Sequence, residues 1–140
     1  MFYEITIQRQ GHDDGGKEKK FTEKYLIEAL SITEATIRFE EEISEFFPDH
    51  ETKSVKRINY SEVLTDDDED NRYFHAVYNV ITPDERTGKE RKSAVSALIQ
   101  ASTFDVAKYK YEEMIRGYLA DVELVKITET KILDYFSKII

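Results

Sequence analysis

Gly16-Lys17-Glu18-Lys19-Lys20 returns 72 residues later as Gly88-Lys89-Glu90-Arg91-Lys92, and the correspondence runs on without a gap. Leu26-Ile27-Glu28-Ala29 answers Leu98-Ile99-Gln100-Ala101, and Ala35, Glu40, Glu41 and Ile43 answer Ala107, Glu112, Glu113 and Ile115. Asp49 and Glu51 answer Asp121 and Glu123. Residues 16–64 and 88–136 share 13 identities in 49 positions. A constant register through two turns and a helix makes duplication a better account than chance resemblance of two amphipathic stretches.

Working outward, each copy reads as ββαβ. An alternating strand comes first, Phe2 to Arg9 or Tyr73 to Ile81, then a turn rich in Gly, Asp or Pro. A second strand, Lys19 to Leu30 or Arg91 to Ser102, completes a hairpin. Ser31-Ile32-Thr33-Glu34 has the spacing of a capping box, and Thr103 followed by Asp105 suits a second helix start. Ile32, Ala35, Phe39, Ile43 and Phe46 or Phe47 make one apolar stripe, with Pro48 expected to close the helix. Phe104, Ala107, Tyr111, Met114 or Ile115, and Tyr118 or Leu119 repeat it. A third strand and a short tail that packs down end each copy. The expected fold class is α+β: two pseudo-symmetric ββαβ repeats, antiparallel-rich, with one helix packed per repeat. The expected organisation is a single domain, with repeat 1 at 1–64, an acidic linker at 65–72 and repeat 2 at 73–140. One repeat has too little core to stand alone, so both are expected to close over a shared interior.

Composition narrows the class. Seventeen aromatics, nine Tyr and eight Phe, can supply much of the core of a 140-residue chain. Without cysteine there is neither a disulfide nor a thiolate zinc site, which fits a reducing compartment. The alternating N-terminus reads as a strand rather than a signal peptide, and no apolar run approaches the length of a membrane span. The expectation is a cytoplasmic protein with no membrane partner. The net charge of −9 disfavours non-specific nucleic-acid binding, and residues 65–71 concentrate five acids without a base.

No catalytic constellation is legible, and the expectation is not an enzyme, with no cofactor and no metal. Gly11-His12-Asp13-Asp14-Gly15-Gly16-Lys17-Glu18 approaches a P-loop, but Glu18 stands where a magnesium-binding hydroxyl is needed and the segment joins two strands. A hairpin tip is the better reading. Asp66-Asp67-Asp68-Glu69-Asp70 fails the calcium-loop pattern at Asn71 and Val77, leaving a solvated linker with at most weak cation association. His12, His50 and His75 share no metal-ligand spacing. The repeated basic segment is the strongest lead: Lys17, Lys20, Lys89, Arg91, Lys92 and, on a nearby strand, Arg57 are candidate ligand-binding residues. They would line the two rims of a groove between repeats, with aromatics available for stacking. The plainer reading is that lysines at strand ends discourage edge-to-edge aggregation.

Tyr25-Leu26-Ile27-Glu28-Ala29-Leu30-Ser31-Ile32-Thr33-Glu34-Ala35, Ser54-Val55-Lys56-Arg57-Ile58-Asn59-Tyr60-Ser61-Glu62 and Thr128-Glu129-Thr130-Lys131-Ile132-Leu133-Asp134 carry a family likeness. The chain resembles an uncharacterised domain-of-unknown-function family of Bacteroides-type bacteria and their phages, over nearly its whole length. The resemblance implies an intracellular, phage-borne setting and no site residues. The expected function is a non-enzymatic binding protein whose partner is another protein, such as a phage or mobile-element accessory factor acting on a host protein. The alternative is nucleotide or nucleic-acid binding through the basic segments.

Overall fold

The computed structural model describes residues 1–65 and 72–137, so the acidic segment read as a linker and weak cation site lies outside the described residues. The described residues form β1 (Phe2–His12), β2 (Glu18–Glu28), α1 (Ile32–Ile43), β3 (Glu51–Ile58), β4 (Glu62–Leu64), β5 (Tyr73–Pro83), β6 (Glu90–Gln100), α2 (Phe104–Ile115), β7 (Asp121–Glu129) and β8 (Ile132–Phe136). This is a mixed α+β fold with two four-stranded sheets, ordered β3-β1-β2-β8 and β4-β6-β5-β7. By contact the chain divides into two compact units. One holds Met1–Asn59 with the described residues from Lys131 onward, and the other holds the described residues of Tyr60–Thr130. No described helix is long and apolar enough to cross a membrane.

In the first unit, β1 buries Tyr3, Ile5 and Ile7 while the residues between them stay partly exposed, the period-two pattern of a strand covered on one face. Antiparallel pairing sets Ile5 opposite Tyr25 on β2 and Val55 on β3, so one apolar face runs across three strands. Helix α1 lays Ala35, Phe39 and Ile43, four residues apart, onto that face. Phe39 packs 5.5 Å from the Tyr25 ring and 5.9 Å from Phe136, and Phe136 stacks on Tyr25 at 6.1 Å. The second unit packs α2 residues Ala107 and Tyr111 against Phe74, Ala76, Tyr78, Ala97 and Ile99. Each helix therefore packs on a cluster of buried side chains in its own unit.

Caps and turns follow the residue types. The Ser31 hydroxyl accepts from the Glu34 amide at 3.1 Å, and Thr103 accepts from Val106 at 3.2 Å. Glu34 reaches back one residue further than a capping box requires, to the Leu30 amide at 3.0 Å, and pairs with Arg38 at 3.5 Å. Gly16 (φ 79°) and Gly88 (φ 70°) take the left-handed backbone that only glycine adopts without strain. The P-loop-like segment is a hairpin turn, closed by the Asp13 amide on the Lys17 carbonyl at 2.9 Å.

Two features depart from the sequence reading. Helix α1 ends at Ile43, well before Pro48, and α2 ends at the matching Ile115 although Ala120 stands where Pro48 does, so the proline does not set the helix end. The amides of Phe46 and Phe47 both return to the Ile43 carbonyl, and Phe46 turns out to solvent at 70% exposure. After α2, Tyr118 packs against its cluster and Leu119 is fully exposed, so of the two candidates it is Tyr118 that extends the stripe.

The second departure concerns the tails, which are strands. Residues 62–64, at the end of the first repeat by sequence, run parallel to β6 in the second unit, and residues 132–136 run parallel to β2 in the first. A parallel neighbour cannot arrive through a tight turn, so the covering strand comes from a distant part of the chain. In the first unit it is pinned by Tyr135 donating to Glu28 at 2.8 Å and by Arg38 donating to the Ser137 carbonyl at 2.8 Å.

If β8 completes the first core, Phe136→Ala should cost about 2–3 kcal/mol and Phe39→Ala about 3–5 kcal/mol in denaturant unfolding. Leu133→Ala, on the same strand but exposed, should stay within about 0.5 kcal/mol. Equal effects at Leu133 and Phe136 would contradict the packing of this strand.

Candidate functional site

The basic residues singled out by the sequence are exposed, and all but Arg57 sit at or near hairpin ends. Lys17 lies in the β1–β2 turn, and Lys20 on β2 faces Gln10 in register. Lys20 also lines a small recess of about 60 Å³ with Gln8, Arg9, Gln10, Asp49 and Glu51. Lys89 lies in the β5–β6 turn, and Arg91 and Lys92 pair with Thr82 and Ile81. Lys92 binds Glu123 at 3.0 Å, an exposed pair of small energetic weight. Arg57 lies on β3 opposite Tyr3. Lys17, Lys20 and Arg57 belong to the first unit, and Lys89, Arg91 and Lys92 to the second.

Each unit also carries a cleft that the sequence did not announce, between the second half of its helix and its parallel edge strand. In the first unit the cleft is about 500 Å³, lined by Tyr25, Glu42, Ile43, Glu45, Phe46, Phe47, Asp134 and Phe136. Its counterpart in the second unit is about 600 Å³ and is bordered by Glu62 to Thr65 and by Lys110, Glu113 and Met114. Both helices are tied down in the same way: Arg38 donates to the Glu28 carbonyl at 2.7 Å, and Lys110 to the Gln100 carbonyl at 2.8 Å. The linings differ in chemistry. The first offers four aromatic rings and three carboxylates, the second aliphatic side chains with charges of both signs. Glu42, Glu45 and Asp134 form no ion pair among the described residues.

Beside the first cleft lies a polar network. The Arg9 guanidinium sits 4.3 Å from the Phe47 ring centre and 4.8 Å from Phe21, and donates to both Glu23 oxygens at 2.6 and 3.3 Å. Glu23 also accepts from the Tyr25 hydroxyl at 3.2 Å. Burial and the neighbouring Glu23 charge push the Tyr25 phenol well above its ordinary range, so it keeps its proton and donates. Gly11 makes room for this arrangement, since a Cβ there would meet Phe21 at 2.6 Å and Arg9 at 2.8 Å. Arg9, Phe21 and Glu23 alternate with solvent-facing neighbours on paired strands, and only the cross-strand register identifies them as one cluster.

His50 is enclosed. Its Nδ1 lies 2.7 Å from the Phe47 carbonyl and its Nε2 2.6 Å from Glu40, whose other oxygen accepts from Thr52. With both ring nitrogens occupied, it fastens the turn after α1 back onto the helix, and Glu40 carries the link on to Thr52 of β3. Among the described residues no group of three or more His, Cys, Asp or Glu side chains is disposed to hold a metal.

The second unit fills the corresponding core with tyrosines. Tyr78 is fully buried, its hydroxyl 2.8 Å from that of Tyr118, and its ring meets Tyr111 edge-on at 5.6 Å. The buried Tyr111 hydroxyl has no partner among the described residues. Burial raises the Tyr111 and Tyr118 phenols above the ordinary range, whereas burial and Lys126 lower the His75 imidazole.

Tyr111→Phe should be neutral or stabilising by up to about 1 kcal/mol, because it removes a buried hydroxyl that bonds to nothing. Alkaline behaviour follows from the raised phenols. Unfolded tyrosines ionise near pH 10 while these three resist in the fold, so their stability contribution is complete below about pH 10 and is lost as pH rises further. Denaturant unfolding at a series of alkaline pH values should show this decline, and Tyr25→Phe should make it shallower.

A family model described as a domain of unknown function (DUF4494) matches residues 1–138. No curated protein matches the sequence.

Proposed function

For a chain that belongs to the DUF4494 family, we propose a non-enzymatic role in binding another protein, on a scaffold that arose by duplication of a ββαβ unit. The observation that carries the reading is the cleft between helix and parallel edge strand, present in each unit at matching positions. Clefts of this kind have an apolar floor and a charged rim, the composition that suits capture of a side chain or short segment from a partner. The duplication is supported by helices whose bounds differ by 72 residues, by matching caps at Ser31 and Thr103, and by the shared positive-φ glycines. An intracellular, phage-associated setting, with a host protein as partner, belongs to the same reading.

A photo-crosslinking side chain at position 46, in the first cleft, tests this in the cells that make the protein. A discrete protein adduct, absent when the group is moved to the exposed β2 position 22, is the expected result. Failure to form any protein adduct from position 46 and from position 114 in the second cleft would end the proposal.

The second reading, nucleotide or nucleic-acid binding, rests on the exposed Lys17, Lys20 and Arg57 of one unit and Lys89, Arg91 and Lys92 of the other. It requires affinity for an oligonucleotide that falls steeply with salt and drops at least about tenfold in Lys20→Glu and Lys92→Glu. Salt-independent or absent binding removes it.

A further inference from the structure

We propose that the first unit's cleft receives an arginine side chain of the partner protein. This rests on the protein-binding reading above and names the group recognised.

The cleft has the parts that a guanidinium needs. Tyr25 and Phe136, stacked at 6.1 Å with their planes 23° apart, lie in its lining beside Phe47, and Phe46 stands at 70% exposure. An exposed phenylalanine bordering a cavity is an apolar face awaiting a planar partner. Glu42 from the helix, Glu45 from the turn after it and Asp134 from β8 supply three carboxylates from three segments, none in an ion pair among the described residues. A cation entering the cleft would meet carboxylates contributed by three segments. Aromatic faces attract cations through their quadrupole, and carboxylates bind a guanidinium through paired hydrogen bonds.

The same unit supplies an internal precedent. Arg9 is held between the rings of Phe21 and Phe47 and is bonded at two points to Glu23. The neighbouring cleft presents the same ingredients, the exposed Phe46 ring and three carboxylates, without a cation of its own in the lining. Planarity favours arginine over lysine, whose compact ammonium gains less from stacking and gives up more hydration. The second unit serves as a control, since its cleft lacks an aromatic ring and already contains Lys110.

The test uses the full chain and three small probes: Nα-acetyl-arginine methylamide, its lysine counterpart and its uncharged citrulline counterpart. Nuclear magnetic resonance titration should show saturable shifts of the Tyr25, Phe46, Phe47 and Phe136 ring signals with the arginine probe. Citrulline should give none, and lysine at least about threefold weaker binding. The triple variant Glu42→Gln, Glu45→Gln, Asp134→Asn should lose at least about fivefold in affinity. Phe46→Ala, a change at an exposed ring that leaves the core intact, should lose at least about threefold.

Citrulline or lysine binding as well as arginine, equal shifts at Leu64 and Met114, or unchanged affinity in the triple variant would each overturn the assignment. A crosslinked partner that binds the triple variant undiminished would overturn it too, while leaving the protein-binding reading in place. Loss of crosslinking from both clefts would remove the broader reading itself.

Discussion

The open edge of a hairpin is the constraint from which the rest of each unit follows. Strands β1 and β2 form a ribbon buried on one face by α1, and β3 covers only the β1 side. The remaining edge, along β2, carries Tyr25 and Ile27 toward the core and would leave both their flank and the backbone donors in water. Strand β8 resolves this by pairing in parallel and packing Phe136 against both Tyr25 and Phe39. Strand β4 does the same for β6, bringing Leu64 against the second cluster. The second unit takes its covering strand from the start of its own stretch of chain, whereas the first takes β8 from beyond the second unit.

That arrangement also makes the clefts. A short parallel strand beside a helix that stops early cannot fill the space under the helix end. In the first unit the two phenylalanines after the helix part ways, Phe46 standing in solvent while Phe47 turns back toward Arg9. The aromatic rim of the first cleft comes from this pair.

The two units solve the same packing problem with different chemistry. Where the first has Phe39, Glu23 and Arg9, the second has Tyr111, Val95 and Ile81. A charged network is held in place by stacking and two-point hydrogen bonding in one. In the other, a tyrosine cluster fills the volume and leaves one hydroxyl unsatisfied. The caps, the turn glycines and the small buried alanines are alike in the two units.

Local physics made much of this legible in the sequence. Alternation in Tyr3, Ile5 and Ile7, the four-residue spacing of Ala35, Phe39 and Ile43, the caps at Ser31 and Thr103 and the hairpin glycines are all readable because each depends on residues a few positions apart. The basic segments could likewise be found, but not weighed, since exposure and ion pairing depend on neighbours far along the chain. Only the tertiary structure decided which sheet the tails join, that each helix packs on a cluster in its own unit, and that Arg9, Glu23, Tyr25 and Phe47 meet. A strand of three to five residues has too few turns of its period to declare a face or a partner, and a cleft is made by elements that no stretch of sequence contains together.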